Sequence, residues 1–130
     1  PLHEAIAKGH QDLVGAMIRA GADLNIADKK GRTPLHEAAY GGRTDLLEML
    51  IDAGADLHKC VHGKSGSPLL SAVCNGQTDA VRRMLDLGAD PDIADEDGLT
   101  PLMQAAEDGL TDILDLLLEK GANAALKDTD

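Results

Sequence analysis

The segment GRTPLHEAA, residues 31–39, is one copy of a pattern that recurs through the whole chain. Its proline, Pro34, has counterparts at Pro1, Pro68 and Pro101, so successive prolines stand 33, 34 and 33 residues apart. A glycine follows each proline by eight residues, and a Gly-Ala pair begins twenty residues after it. These glycines are Gly9, Gly42, Gly76 and Gly109, and the pairs begin at Gly21, Gly54, Gly88 and Gly121. The single break in the period places a one-residue insertion within residues 60–67.

Each copy of the pattern predicts a helix, a short loop, a second helix and a polar extended segment. Thr33 can cap free amide groups, and Pro34 at the first helical position has no amide to leave unbonded. Gly42 permits the positive φ that ends such a short helix. The second helix is predicted from Thr44, because apolar residues then follow at helical spacing. In that copy they are Leu46, Leu47, Leu50 and Ile51.

A period of about 33 residues with Thr-Pro-Leu-His resembles the ankyrin repeat. The segment RTPLHEAAYGG at 32–42 is a near-complete family motif, and 1–10, 67–76 and 100–109 are looser copies. Leu70 and Met103 stand where the family usually has its histidine. The resemblance covers the entire chain. It implies an all-α solenoid of helix-turn-helix units joined by hairpin-like finger loops, forming one domain over 1–130. The repeats are predicted at 1–30, 31–64, 65–97 and 98–130.

Composition excludes several classes of partner. The formal charge is −11, and residues 86–130 hold 13 acids against two bases, whereas the first 85 residues balance. Phosphate-backbone binding needs a basic surface, so we expect no nucleic acid partner. The longest apolar run, Leu116 to Leu118, is far too short to span a membrane, so we expect no membrane partner. Two cysteines, Cys60 and Cys74, favour a reducing compartment and an intracellular, cytoplasmic location.

No motif in the sequence points to catalysis or to a cofactor. GxGxxG, P-loop, Cys-x-x-Cys and HExxH patterns are all missing from it. In an extended segment His58, Cys60 and His62 share one face and are residue types that zinc accepts. A fourth ligand is lacking, so the alternative interpretation is a polar finger, and we predict no metal. We therefore expect a protein that is not an enzyme.

Three further residues match family positions. The resemblance implies that His3 and His36 are structural, bonding the backbone or the preceding threonine and joining successive repeats. Asn25 matches a position that is hydroxylated in some family members. Its alternative interpretation, which we favour, is a turn residue.

The resemblance also implies a binding surface, because fingertips and the exposed side of the first helices form a concave face in this family. We expect a protein or peptide partner there, bound by a monomer. Basic positions fall toward the N-terminal end of this face and acidic ones toward the other, with the only aromatic residue near the basic half. The predicted partner-binding residues are Lys8, Lys29, Lys30, Arg32, Tyr40, Lys64, Cys74, Asn75, Glu96, Asp97, Leu99, Glu107 and Asp108.

Two other functions stay open at this point. One is a structural spacer or a self-assembling segment, since apolar end repeats could stack. The other is a regulatory module of an enzyme that lies outside this chain. The pattern begins at Pro1 without its usual Gly-x-Thr and stops within a finger at Asp130. From this we expect a segment of a longer protein.

Overall fold

The computed structural model describes residues 2–58 and 66–122, which contain eight α-helices in four consecutive pairs. One pair lies within each of the four predicted repeats, and the predicted all-α solenoid is confirmed. The first helices of the pairs are α1 (Leu2–Ala7), α3 (Pro34–Tyr40), α5 (Pro68–Cys74) and α7 (Pro101–Glu107). The second helices are α2 (Gln11–Arg19), α4 (Thr44–Asp52), α6 (Thr78–Asp86) and α8 (Thr111–Glu119).

A hydroxyl side chain starts each first helix from α3 onward. The Thr33 hydroxyl accepts a hydrogen bond from the backbone N–H of His36, and Ser67 and Thr100 accept the equivalent bonds in α5 and α7. A proline follows each cap at the start of the helix, where its missing N–H has no helical partner to lose. The three caps are buried, so water could not replace them. The predicted helix starts are therefore confirmed.

Glycine conformation ends the helices at the predicted places. Gly42 ends the first helix of its repeat with φ of 69°, and its N–H bonds the carbonyl of Ala39 at 3.2 Å. Gly54 ends the second helix with φ of 103°. A Cβ at Gly54 would meet no heavy atom within 4 Å. Backbone conformation, and not lack of space, therefore requires glycine there.

The helices form two rows. First helices pack on first helices (α1 on α3, α3 on α5, α5 on α7), and second helices pack on second helices in the same order. Small residues line the first row and let its helices approach closely, among them Ala5, Ala38, Ala72 and Ala105, each at most 3% exposed. The second row supplies the larger buried side chains, such as Leu47, Leu50, Met84 and Leu117. Burying one of these contributes roughly 2 kcal/mol.

The described fingers are tight hairpin turns, as predicted. In the finger between the first and second pairs, the Asp28 carboxylate accepts backbone N–H bonds from Lys30 and Arg32 at 2.8 and 2.9 Å. The Asp28 N–H in turn bonds the Arg32 carbonyl at 2.8 Å. Asp95 repeats all these bonds in the finger between the third and fourth pairs. The finger of the second repeat lies mainly in 59–65, outside the described residues.

Candidate functional site

The predicted partner-binding residues lie on fingers and at the C-terminal ends of first helices. Lys64 is outside the described residues. Of the other twelve, ten are exposed and two, Arg32 and Leu99, are partly buried. Tyr40, Cys74 and Glu107 are the last residues of α3, α5 and α7. None of the twelve belongs to the buried core, so all are available to a partner without unpacking the repeats.

Arg32 is the centre of the basic half. Its Cζ lies 5.8 Å from the centroid of the Tyr40 ring, which joins the finger to the first helix of the second repeat. Its Nη2 lies 3.6 Å from Glu37 Oε2, and its Nε lies 3.9 Å from Asp28 Oδ2. Both distances exceed hydrogen-bond length, so these are loose ion pairs. The sequence offered no sign that Arg32 and Tyr40 touch.

Asp28 stays ionised beside Arg32. Burial opposes its charge, but backbone hydrogen bonds from Arg32 and Lys30, together with the Arg32 charge, outweigh that and lower the pKa of Asp28. Lys29 and Lys30, at the tip of this finger, are exposed. Among the described residues neither ammonium group has an ion-pair partner, whereas the Arg32 guanidinium is partly compensated by Asp28 and Glu37.

The backbone under Tyr40 is fixed by the next repeat. Asn75 Nδ2 and Gln77 Nε2 donate to the Tyr40 carbonyl at 2.8 and 3.1 Å. Arg43 donates in the same way to the carbonyl of Ala7, one repeat earlier, at 3.3 Å. Asn75 is thus exposed but also structural, a role that its residue type and position do not indicate. In the sequence, these links are marked by the polar residue nine positions after the proline, which is Arg43 in the second repeat and Gln77 in the third.

Cys74 lies in the acidic half. The residue is exposed, but partial burial of its thiol still raises the pKa, and the nearby carboxylates of Asp108 and Asp95 raise it further. Those carboxylates are oriented locally, since Gln104 Nε2 donates to Asp108 Oδ2 at 2.6 Å. No lysine or arginine occurs between Met84 and Glu119 in the sequence. The Cys74 thiol therefore lies in a negative field and is a poor nucleophile.

His36 and His3 link successive repeats, which confirms their predicted structural role. His36 is fully buried, and its Nε2–H donates to the Gly66 carbonyl at 2.9 Å. Its Nδ1 lies 2.7 Å from the Thr33 hydroxyl and accepts from it. Nδ1 also accepts the backbone N–H of Thr33 at 3.3 Å, which assigns the ring proton to Nε2. His3 Nε2 makes the equivalent bond to the Arg32 carbonyl at 2.9 Å.

A second link between repeats runs through the residues four positions after each Gly-Ala glycine. Asn25 Oδ1 accepts the backbone N–H of Asp56 at 2.9 Å, so Asn25 joins two repeats in addition to forming a turn. One repeat later, His58 Nε2 accepts the backbone N–H of Asp90 at 2.9 Å. The Nε2 lone pair of His58 is therefore used by this bond and is not available to a metal ion.

Of the three possible zinc ligands His58, Cys60 and His62, the structure describes only His58. Cys60 and His62 lie outside the described residues. Within 2–58 and 66–122, no group of three or more His, Cys, Asp or Glu side chains is arranged to hold a metal ion. In the same ranges, every helix falls short of the length and apolar content needed to cross a membrane.

The second helices, which form the outer row, carry ion pairs between neighbouring repeats. Arg83 Nε on α6 lies 2.9 Å from Glu48 Oε1 on α4, and Lys120 Nζ lies 2.7 Å from Asp86 Oδ1. Hydrogen bonding to Lys120 lowers the pKa of Asp86, and the same bond raises the pKa of Lys120. These pairs are solvent-exposed, so they add little stability.

Comparison with known proteins gives a consistent result. A family model for ankyrin repeats (three copies) matches residues 55–128, and a second, for ankyrin repeats (many copies), matches residues 2–51. An ankyrin repeat-containing protein of Schizosaccharomyces pombe is 44% identical over 34 residues. The match covers 26% of this chain and 16% of the yeast protein, so it spans well under two thirds of that relative.

Proposed function

The chain belongs to the ankyrin repeat family, and on that basis we propose that it binds a partner protein or extended peptide on its concave face and catalyses no reaction. Ankyrin repeats are in general protein–protein interaction modules. The face proposed here is made of the fingers and the C-terminal ends of the first helices. The observation that carries the proposal is the exposure of the predicted set, whose ten exposed and two partly buried members all lie outside the core.

The distribution of charge on this face supports a partner with two oppositely charged patches. Lys29 and Lys30 are exposed on one finger, whereas Glu107 and Asp108 are exposed at the C-terminal end of α7. Opposite charges at the two ends of a binding face set the orientation of a partner and raise its association rate. Tyr40 lies near the basic end and is 44% exposed. An exposed tyrosine held by a rigid backbone is a typical binding hot spot.

An affinity pull-down tests the proposal. The bait is the chain itself, compared with a variant that carries Lys29→Glu, Lys30→Glu and Tyr40→Ala, and retained proteins are identified by mass spectrometry. We expect at least one protein to be held by the parent chain and lost by the variant. Equal retention by both baits would place binding elsewhere and refute the proposed face.

A matched variant controls for nonspecific charge effects. Arg19→Glu, Arg82→Glu and Leu13→Ala change the same number of charges and truncate one exposed apolar side chain. All three positions are exposed on second helices, away from the proposed face. This control should retain the same partner as the parent. Loss of the partner from both the test variant and the control variant would show that net charge, and not the concave face, governs binding.

A second candidate function is end-to-end self-assembly, which the exposure of Leu13 and Leu118 favours. Leu13 on α2 is 46% exposed, whereas its counterpart Leu46 on α4 is 3% exposed. Leu118 on α8 is 44% exposed, whereas its counterpart Leu85 on α6 is 8% exposed. Sedimentation velocity over a concentration series distinguishes the candidates. A constant monomer mass rules out self-assembly, and a mass that rises with concentration and falls in Leu118→Glu supports it.

A further inference from the structure

Within residues 2–58 and 66–122, the Arg32 guanidinium is held by ion pairs and a ring contact and makes no hydrogen bond. Its side chain is only 20% exposed, and its nearest carboxylate oxygens lie 3.6 and 3.9 Å away. The Nε atom is buried and has no hydrogen-bond partner. The nearest contact of its other nitrogens with a described residue is the 3.6 Å ion pair of Nη2 with Glu37. A buried donor without an acceptor costs free energy. Nε itself is shielded from outside, so an acceptor supplied by a partner would reach the part of the side chain that stays exposed.

The surroundings of Arg32 are rigid. The Tyr40 ring contacts one side of the guanidinium at a distance typical of a cation–π contact. The Tyr40 backbone is in turn fixed by two amide side chains of the next repeat. On the other side, the Arg32 backbone closes the finger turn through Asp28. A binding group that is already ordered loses little entropy when a ligand arrives.

The local charge favours an anionic ligand over a cationic one. The finger and the start of α3 contribute Lys29, Lys30 and Arg32 against Asp28 and Glu37. Asp28 already accepts two backbone hydrogen bonds, so its carboxylate is committed to the turn. The two lysines are exposed and make no ion pair with a described residue. The fingertip is therefore net positive, with its ordered donor at Arg32.

We propose that the partner is a peptide segment that places an aspartate or glutamate carboxylate on Arg32, next to an apolar or aromatic side chain on the exposed Tyr40 ring. A carboxylate matches the planar fork of a guanidinium and accepts two parallel N–H bonds. Lys29 and Lys30 attract further acidic residues toward the fingertip. This inference rests on the proposed function, since it names the chemistry of the partner at one point of the concave face.

Selection from a phage-displayed library of random dodecapeptides tests the proposal. The intact chain is immobilised, and the selected peptides are sequenced and synthesised with a fluorescent label. We expect enrichment of aspartate and glutamate next to an aromatic or large aliphatic residue. Enriched peptides without acidic residues would overturn the inference but leave peptide binding intact. If no peptide is enriched, both this inference and the proposed peptide-binding function are contradicted.

Fluorescence anisotropy with a selected peptide then tests the residue assignment. Arg32→Gln should weaken binding by about tenfold or more, because charged hydrogen bonds are lost. Arg32→Lys keeps the charge but loses the fork, so it should recover only part of the affinity. Arg83→Gln is the matched control, since Arg83 is also ion-paired but lies on the outer row. Unchanged affinity in Arg32→Gln would refute the assignment.

Glu37→Gln separates a binding role from a structural one. If Arg32 receives a partner carboxylate, removing the neighbouring negative charge should tighten peptide binding about twofold to fivefold. If Arg32 only holds the finger through its ion pairs, Glu37→Gln should weaken binding or leave it unchanged, which contradicts the inference. Thermal unfolding of each variant shows whether the repeat itself remains folded.

Discussion

Replacing His36 with leucine should destabilise the chain without disturbing its packing. Leucine occupies the equivalent position in the third repeat, where Leu70 is fully buried, so the side chain fits the site. The substitution removes the bond from Nε2 to the Gly66 carbonyl and the bond between Nδ1 and the Thr33 hydroxyl. Gly66 and Thr33 are both buried, so water cannot easily replace the lost partner.

The size of the effect follows from these two bonds. A net hydrogen bond is worth about 1 kcal/mol, and a buried polar group left unpaired costs about 1–3 kcal/mol. Leucine returns part of this through apolar burial. We therefore expect His36→Leu to lower the free energy of unfolding by about 2 kcal/mol. His36→Ala should cost about 4 kcal/mol, because it also leaves a cavity.

Urea denaturation followed by circular dichroism measures both free-energy changes. The comparison requires that the slope of unfolding free energy against urea concentration is the same in variant and parent. His3→Leu is the matched control. It removes a bond of the same length to the Arg32 carbonyl, but His3 is only partly buried, so water can take its place. Its cost should be about 1 kcal/mol or less. If His36→Leu stays within about 0.5 kcal/mol of the parent chain, the histidine link does not hold the repeats together.

Three further predictions concern a glycine, the cysteine and the last repeat. Gly54→Ala should cost about 1 kcal/mol in urea denaturation, because its φ of 103° is strained for any side chain, whereas Gly41→Ala, with φ of −81°, should change little. With the other cysteine replaced by serine, Asp108→Asn should lower the pKa of Cys74 and speed its alkylation at mildly alkaline pH; an unchanged rate would remove Asp108 as a cause. Backbone amides of α7 and α8 should exchange hydrogen faster than those of α3 and α5. Leu110 stands where Gln77 bonds the preceding repeat, and leucine cannot make that bond. Leu110→Gln should therefore slow exchange in α7 and α8. Equal exchange in all four helices would contradict this.

The helices could be predicted from the sequence because their signals are local and repeated. A hydroxyl residue before proline, a glycine eight positions later and leucines at helical spacing each act within a few residues. Because the same signals occur in four copies, the spacing between the helices can be read from the period of the sequence. The buried positions follow from the same period, since each equivalent apolar residue meets the same neighbours.

The family resemblance implied the histidine links between repeats. The other bonds between repeats could not be predicted in the same way, because their partners lie about 30 residues apart and depend on how the repeats stack. Arg43 and Gln77 differ in charge and length but bond equivalent carbonyls. Asn25 was interpreted as a turn residue and also joins two repeats. The contact of Arg32 with Tyr40 depends on side-chain rotamers, which no pattern of residue types specifies.

The central claim, that the fingers and first helices form the binding face, is tested most directly by mapping a bound peptide or partner with amide chemical shifts. Spectra of the labelled chain are recorded during titration with the unlabelled ligand. We expect the largest shifts at Lys29, Arg32, Tyr40, Glu107 and Asp108 and their neighbours, with the outward faces of α2, α4, α6 and α8 unaffected. Shifts concentrated on those second helices, with the fingers unchanged, would contradict the claim.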